Sequence, residues 1–598
     1  MCGIAGIMGR KNTLPTPRLL DIFDQSLTHR GPDGRGDYTA ANVAMIQRRL
    51  AIIDLTTGDQ PLYSGNNEKP VALIGNGEIY NYLELRQEFS GFRFRTHSDC
   101  ETPLAVYAHD GLSFPDRLRG MYALAIHDQA SQRLVLSRDP FGIKQLYIVE
   151  TGAGFAFASE PQALIAAGLT PLEIDNAKRH ELLQLNFTTG ADTIFKSIRR
   201  LLPGETIVVD GGRIVSRTRQ PAFPLNPPIP ISAPDALKKL DHILEQAVDV
   251  HQRSDVPYAM FLSGGIDSSA ILAMMARLSD QPVTTFTAGF PGTNVADERN
   301  LARDVAKACN AKVVDVAVGV NDFWDNLPTI AAGMDDPVAD YATIPTWLLA
   351  KSARDQGFKV VLSGEGGDEI FAGYGRYRSA LRPWPFNKAM RSRGVFDGLG
   401  ILIADGHPNS KAWRKSITQN EQNLSRKNLT PLQRLQALDC EDWLPHDLLI
   451  KLDRCLMAHG VEGRTPFLDK EVAQFAFTLP DNLKLHRGMG KWILREWLAK
   501  HLPMAQPFSR KRGFTVPVGP WMAERGKMLS DAMARQVAIK EIAKTDAVRN
   551  LYADPRLATD QRLAQAGWGL LFYALWHRRH IQGLKPDGGG ILDCLTAA

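Results

Sequence analysis

Over the first two hundred residues, apolar and alternating runs of strand length recur between clusters of turn residues. They lie at Cys2–Met8, Val43–Ile53, Pro70–Ile74, Met121–Ile126, Arg133–Ser137 and Phe155–Ala158, and their length and spacing predict strands. Two stretches, Tyr82–Phe89 and Thr102–His109, read instead as helices. Many short strands with few helices predict two stacked antiparallel sheets with flanking helices. The pattern then changes. Between residues 219 and 235, six prolines interrupt a run that can form neither a helix nor a central strand. It reads as a stiff, partly extended connector. Its closing Ser232-Ala233-Pro234-Asp235, followed by Leu237, Leu240, Ile243 and Leu244, predicts the start of a helix.

Beyond the connector the pattern is α/β. Val256–Leu262 is a buried-strand run that breaks into Ser263-Gly264-Gly265-Ile266-Asp267-Ser268-Ser269, with a helix over Ala270–Leu278. A second such unit follows: a strand at Lys359–Leu362, the loop Ser363-Gly364-Glu365-Gly366-Gly367-Asp368-Glu369, and a helix at Ile370–Ala372. Glycine-rich loops between a strand and a helix N-terminus cradle anions. Two of them fit the carboxyl ends of strands in an open parallel sheet. The domain expectation is a first domain over 2–215, a linker over 216–235, a second domain over 236–585 and a tail over 586–598. The length of 598 residues demands more than one core.

Composition narrows the function little. The chain is 44% apolar and 23% charged, with a net charge of +5, so no basic nucleic-acid footprint is expected. Six scattered cysteines form no zinc or redox spacing, which suits a reducing cytoplasm. No secretory signal and no membrane span are expected.

The chemistry-bearing residues change the picture more. Cys2 follows Met1 directly. Removal of Met1 leaves Cys2 with both a thiol and an α-amine titrating near roughly 7.7–8.0. That amine can serve as general base for its own thiol, with no histidine required. Three polar clusters accompany it: Arg48-Arg49-Leu50, Gly75-Asn76-Gly77-Glu78 and Ser98-Asp99-Cys100-Glu101. Arginine suits the carboxylate of an amino-acid substrate, and Glu78 and Asp99 suit its ammonium. An Asn side chain beside a Gly N–H suits an oxyanion, although Asn76-Gly77 also fits a hairpin turn. In the second domain, Ser263, Ser268 and Ser269 add hydroxyl donors for phosphate. Asp267 and Asp368 would repel bare phosphate and make sense with Mg²⁺ between. A Walker A sequence is absent.

Read in order, Cys2-Gly3-Ile4, His29-Arg30-Gly31-Pro32-Asp33, Arg49-Leu50-Ala51-Ile52, Asn76-Gly77-Glu78-Ile79-Tyr80-Asn81, Ser98-Asp99-Cys100-Glu101 and Ser137-Arg138-Asp139-Pro140-Phe141-Gly142 resemble the class II glutamine amidotransferases. Ser263-Gly264-Gly265-Ile266-Asp267-Ser268 resembles the PP-loop of ATP pyrophosphatases. Leu452-Asp453-Arg454, Gly460 to Asp469 and Gly490 to Arg495 resemble the synthetase domain of the asparagine synthetase family. The resemblance covers roughly residues 2–580. It implies an α+β, αββα N-terminal-nucleophile sandwich followed by an α/β PP-loop domain with a parallel sheet and extra helices.

It further implies that Cys2 attacks glutamine and releases ammonia, with glutamine held by Arg49, Leu50, Asn76, Gly77, Glu78 and Asp99, and with Asn76 and Gly77 as the oxyanion hole. For ATP it implies Phe261, Leu262, Ser263, Gly264, Gly265, Asp267, Ser268, Ala288, Ser363, Gly364 and Lys491. Mg²⁺ would lie on Asp267 and Asp368. Lys491 becomes a cation over the α-phosphate or pyrophosphate, and Glu365 a handler of a proton of the attacking ammonia. The implied acceptor is aspartate, adenylated and converted to asparagine with AMP and pyrophosphate. The motifs hold ATP and glutamine rather than the acceptor, so a peptide, a secondary metabolite or a cell-envelope sugar acid remains the alternative. The run Asp335–Pro345 is the candidate lining of the acceptor pocket, and Arg510-Lys511-Arg512-Gly513-Phe514 is either a basic edge near the nucleotide or ordinary surface. Enzymes of this group are often homodimers.

Overall fold

Alternation along the strands decides the architecture of the first two hundred residues. In the computed structural model, which describes all residues except 1, 11–16, 41, 65–68, 294, 296–297, 384, 404–410, 510–514, 587 and 598, the chain opens with strands β1 (Gly3–Gly9), β2 (Gly34–Ala40), β3 (Val43–Arg49), β4 (Leu62–Ser64), β5 (Val71–Ile79), β6 (Gly120–Asp128), β7 (Arg133–Arg138), β8 (Tyr147–Glu150), β9 (Gly154–Ala158), β10 (Arg199–Arg200), β11 (Glu205–Asp210) and β12 (Arg213–Arg219). They build two six-stranded sheets, β10-β8-β9-β1-β3-β2 and β12-β11-β7-β6-β5-β4, with antiparallel pairing. Ile4 and Met8 of β1 point between the sheets, whereas Ala5 and Ile7 point outward. In β6, Ala123 and Ala125 face inward while Leu124 and Ile126 face outward. Both faces are apolar because helices cover the outsides. Leu19, Leu20, Phe23 and Leu27 of the helix Pro17–Leu27 pack on the first sheet. Leu104 and Val106 of the helix Thr102–Asp110 pack on the second. The result is the expected αββα sandwich.

One local expectation is corrected, and one alternative is removed. The run Val43–Ile53 leaves the sheet at Arg49. Its backbone there bonds to Asp33 (Asp33 N–H to Arg49 O, 2.9 Å; Ala51 N–H to Asp33 Oδ2, 2.9 Å) instead of to a strand. Asn76-Gly77-Glu78 is not a turn. It continues β5 against β6, with Asn76 opposite Ala123 and Gly77 opposite Tyr122.

The proline-rich connector has no regular structure, yet it is pinned. Phe223 stacks on Phe477 with ring centroids 4.2 Å apart. Ile229 donates to Thr478 O at 2.8 Å, and Gln433 Nε2 donates to Asn226 O at 2.9 Å. The helix Ala233–His251 then starts where its Ser232 cap accepts from Asp235 N–H.

Strands β13 (Tyr258–Phe261), β14 (Thr284–Gly289), β15 (Lys312–Ala317), β16 (Val360–Leu362) and β17 (Glu462–Arg464) form a parallel sheet in the order β15-β14-β13-β16-β17. The chain moves outward from β13 and then returns to its other side with β16. The switch in direction falls between those two strands, where an open α/β sheet leaves a crevice at the carboxyl ends. Both glycine-rich loops emerge there. The second helix spans Gly367–Ile370 rather than Ile370–Ala372. Gly366, at φ 91°, ends the loop early, which puts Asp368 and Glu369 into the first helical turn. The tail also has structure: Ile591 and Leu595 of the helix Ile591–Thr596 are buried, and Gln536 Nε2 donates to Leu595 O at 2.8 Å. Among the described residues, no helix is long and apolar enough to cross a membrane.

Candidate active sites

The first site forms where β1, β3 and β5 meet. Cys2 stands at the start of β1 and is buried. Its backbone N–H donates to Asn76 Oδ1 at 2.9 Å, and its carbonyl accepts from Arg30 Nε at 3.2 Å. Burial pushes the Cys2 thiol up, with a backbone contact at Leu50 pulling the other way. A thiol raised in this manner needs a base beside it to react as thiolate. Met1, whose removal would expose that base, lies outside the described residues.

Asn76 is fully buried, and its Nδ2 has no hydrogen-bond partner. A buried unpaired donor costs about 1–3 kcal/mol, so an amide in this position is poised for an incoming oxygen. Gly77 is held at φ 154°. A Cβ there would sit 2.0 Å from Met121 O and 2.6 Å from Tyr122 Cα, so only glycine lets β5 run this close to β6. Glu78 is buried with Oε2 unpartnered. Burial and the neighbouring Glu462 and Asp99 hold its carboxyl well above the usual range, against the pull of Arg464, whose Nη2 lies 3.4 Å away. Burial likewise raises Asp99, which accepts from Ile79 N–H at 2.7 Å. Glu78 and Asp99 are two buried carboxyls that a ligand ammonium would bring back to the ionised form. Arg49 is buried beside them, anchored by Ile53 O at 3.2 Å and by Asp54 O, with Nη1 on exposed Asp59 at 2.7 Å. Asp59 is a carboxylate standing on the arginine expected to take a substrate carboxylate.

The second site is a cavity of about 810 Å³ at the switch point, lined by all the residues expected to hold ATP together with Asp368 and Glu365, whereas Ser269, expected as a phosphate donor, is fully buried and does not line it. Gly264, at φ 71°, turns the chain out of β13. Ser263 Oγ then lies 3.1 Å from Ser268 Oγ and accepts from Gly265 N–H at 3.2 Å. Lys491 closes the cavity from across the domain. It occupies the left-handed region at φ 58° at the start of the helix Trp492–His501. Its Nζ pairs with Asp267 and, at 2.8 Å, with Asp368. Burial alone would lower the Lys491 ammonium, but the two carboxylates more than offset it and hold it above the ordinary lysine range.

Asp267 and Asp368 thus converge on one cation, which is the arrangement a Mg²⁺ shared with phosphates requires. Glycines keep the convergence open: a Cβ at Gly367 would meet Asp267 Oδ1 at 2.4 Å, and one at Gly373 would meet Asp368 Oδ1 at 1.9 Å. Glu365 is half-buried. Burial raises its carboxyl, with Lys451 opposing and Asp340 adding to the rise, and a carboxyl shifted in this direction is better suited to take or give a proton.

Of the run Asp335–Pro345, only Asp340, Tyr341 and Ala342 line this cavity. Asp335 pairs with Arg454 at 2.9 Å and Asp336 with Arg200 at 2.7 Å, so both turn away as structural anchors. The basic run Arg510-Lys511-Arg512-Gly513-Phe514 lies outside the described residues.

The sequence reading named no role for the groups that join the sites. Arg30 donates to Asp453 through both terminal nitrogens (2.8 and 3.0 Å) and to Glu160 (2.8 Å). All three are buried. Arg30 and Asp453 each sit inside a quoted motif, so the residues were visible and only their pairing was not.

A family profile described as asparagine synthase matches residues 239–578, and one described as a glutamine amidotransferase domain matches residues 1–219. The asparagine synthetase (glutamine-hydrolysing) 1 of Bacillus subtilis is 31% identical and covers 97% of each chain. The asparagine synthetase B of Escherichia coli is 29% identical over 91% of this chain and 86% of its own. An amidase, chyE, of Penicillium rubens is 28% identical over 88% of this chain and 87% of its own.

Proposed function

The chain belongs to the asparagine synthase family, with a glutamine amidotransferase domain at its N-terminus, and on that premise we propose that it transfers the amide nitrogen of glutamine to a carboxylate activated by ATP, aspartate being the first-choice acceptor. In the first half-reaction, the Cys2 α-amine takes the thiol proton and the sulfur attacks the glutamine carboxamide. Asn76 Nδ2 and the Gly77 N–H receive the developing oxyanion. Glu78 and Asp99 hold the substrate ammonium, and Arg49 takes its carboxylate in place of Asp59. Ammonia leaves, and water cleaves the thioester to glutamate.

In the second half-reaction, the acceptor carboxylate attacks the α-phosphorus and pyrophosphate departs. The loops Ser263–Ser268 and Ser363–Gly364 orient the phosphates, and Lys491 neutralises charge on the leaving pyrophosphate. Mg²⁺ on Asp267 and Asp368 supplies charge neutralisation to the same phosphates when bound. Ammonia then attacks the acyl-adenylate, AMP leaves, and Glu365 takes the excess proton.

The observation that carries the reading is the pair of prepared sites in one chain. One holds a buried unpaired amide donor beside the Cys2 nitrogen, and the other holds Lys491 between two carboxylates at the sheet's switch point. A second reading keeps the chemistry and changes the acceptor, and the amidase relative supports it. Product analysis with glutamine, ATP, Mg²⁺ and aspartate tests both. Asparagine, AMP and pyrophosphate formed in step with glutamate are expected. Glutamate without asparagine would reject aspartate as the acceptor.

A further inference from the structure

The pocket around Cys2 is built by the first domain, yet part of its frame comes from the second. Past Arg49 the chain leaves β3, and from that irregular stretch the carbonyls of Ile53 (3.2 Å) and Asp54 hold the Arg49 guanidinium. Asp54 stands in the left-handed region at φ 56°. Its carboxylate is spent inside the first domain, accepting from Thr57 N–H at 2.9 Å, Thr57 Oγ1 at 2.6 Å and His97 N–H at 2.8 Å. Its own N–H points across the domain boundary and donates to Asp255 Oδ2 at 2.7 Å. The Asp255 N–H in turn donates to Ile52 O at 3.0 Å. One second-domain residue therefore clasps the stretch Ile52–Asp54 through both a donor and an acceptor.

Asp255 is exposed, so its place has to be fixed by the backbone that carries it. It lies between the helix Ala233–His251 and β13. Fully buried Arg464 donates through Nη1 to His251 O at 2.8 Å and to Arg253 O at 2.7 Å, while its Nη2 lies 3.4 Å from Glu78. Arg253 reaches back to the first domain, donating to Tyr80 O and to Glu84 at 2.7 and 2.8 Å. The rings of His251 and Tyr80 lie 4.0 Å apart. The segment His251–Asp255 is thus a strap joining two edges of the pocket. It is pinned at the Glu78 edge by Arg464 and Tyr80, and it meets the Arg49 edge through Asp255. A guanidinium fork binds a carboxylate in one plane, so a small rotation of Ile52–Asp54 would cost alignment while leaving the charge in place.

We propose that Asp255 is a positioning residue for glutamine. Acting through Ile52 and Asp54, it sets the angle at which Arg49 meets the substrate α-carboxylate. It governs how tightly glutamine is held and not the attack on its carboxamide. The inference rests on the glutaminase half of the reading above and deepens it.

Steady-state glutamine hydrolysis by the full chain tests it. In Asp255→Ala the KM for glutamine should rise about fivefold, the size of one lost hydrogen bond, with kcat within about twofold of the parent. That pattern is a loss of uniform binding, whereas damage to the nucleophile or the oxyanion hole would lower kcat. KM does not depend on the fraction of enzyme that is folded, so partial misfolding cannot imitate the result. Asp255→Asn keeps an acceptor oxygen for the Asp54 N–H and should return KM to within about twofold of the parent. The effect must also pass through Arg49. In an Arg49→Lys background, where the fork is gone, adding Asp255→Ala should change KM by less than about twofold, since residues that serve one contact are not additive. An unchanged KM in Asp255→Ala, a loss confined to kcat, no rescue in Asp255→Asn, or an equal rise with and without the Arg49 fork overturns the positioning role and leaves the glutaminase reading standing. A parent chain that releases no glutamate from glutamine overturns both.

Discussion

The two sites prepare for their ligands in opposite ways. Around Cys2 the site is buried and its polar atoms are left wanting: Asn76 Nδ2 has no hydrogen-bond partner, and Glu78 Oε2 has only the Arg464 guanidinium at 3.4 Å. At the switch point the charges satisfy one another, with Lys491 lodged between Asp267 and Asp368. The first site is held in a costly state that substrate relieves. The second is held in a satisfied state that substrate must rearrange. A neutral amide needs exact placement of a few donors, whereas ATP brings enough charge of its own to reorganise a site.

The sharpest way to break this comparison is to remove the first nucleophile. Cys2→Ala should lower glutamine-dependent amidation by roughly 10⁴-fold or more while amidation with added ammonia persists. Loss of both activities in a folded protein would sink the division of labour. On the other side, Lys491→Ala should slow acceptor-dependent pyrophosphate release by about 10³-fold, with glutaminase rates as the control. If pyrophosphate release survives, the lysine is only a counter-ion for the two carboxylates. Asn76→Ala should cost glutaminase kcat about 10²–10³-fold, and an effect confined to KM would deny it the oxyanion.

Glu78→Gln sharpens the contrast by separating stability from function. The Glu78 carboxyl is raised, so the folded state holds its proton to higher pH than the unfolded chain does. Stability is therefore lost as pH rises from the ordinary carboxylate range toward the folded value. The variant should gain stability at neutral pH while losing glutamine affinity, and a drop in its denaturation midpoint would contradict this account. The smallest effect is in pH. At fixed free ammonia, the rate should fall on acidification at a pH above the ordinary Glu range of about 4.3, because Glu365 must be ionised to accept a proton. The limb should vanish in Glu365→Gln.

What was legible in the sequence was local. A strand, a glycine-rich loop and a helix start are written in consecutive residues, so the phosphate loops and their aspartates were found where the cavity lies. Asn76-Gly77 was ambiguous because the same dipeptide serves a hairpin or a close strand approach, and Met121, more than forty residues on, decides between them. The helix at Gly367 was placed late because the positive φ of Gly366 has no signature of its own. Asp335 and Asp336 share a run with Asp340, yet their distant partners Arg454 and Arg200 turn them away from the cavity. Pairings of this kind depend on tertiary closure and leave no local pattern.

Strand β17 is a wall common to both halves. Arg464 O accepts from Ser363 N–H at 2.8 Å, at the root of the second phosphate loop, while the Arg464 side chain reaches Glu78 in the first pocket. With Arg30 on Asp453, this makes the boundary between the halves a poor place to cut and splice. A chimera that imports a foreign first domain must also import replies to Asp453 and Arg464. The two halves are therefore expected to be inherited, exchanged and engineered as one unit, although each alone has the look of a free-standing module.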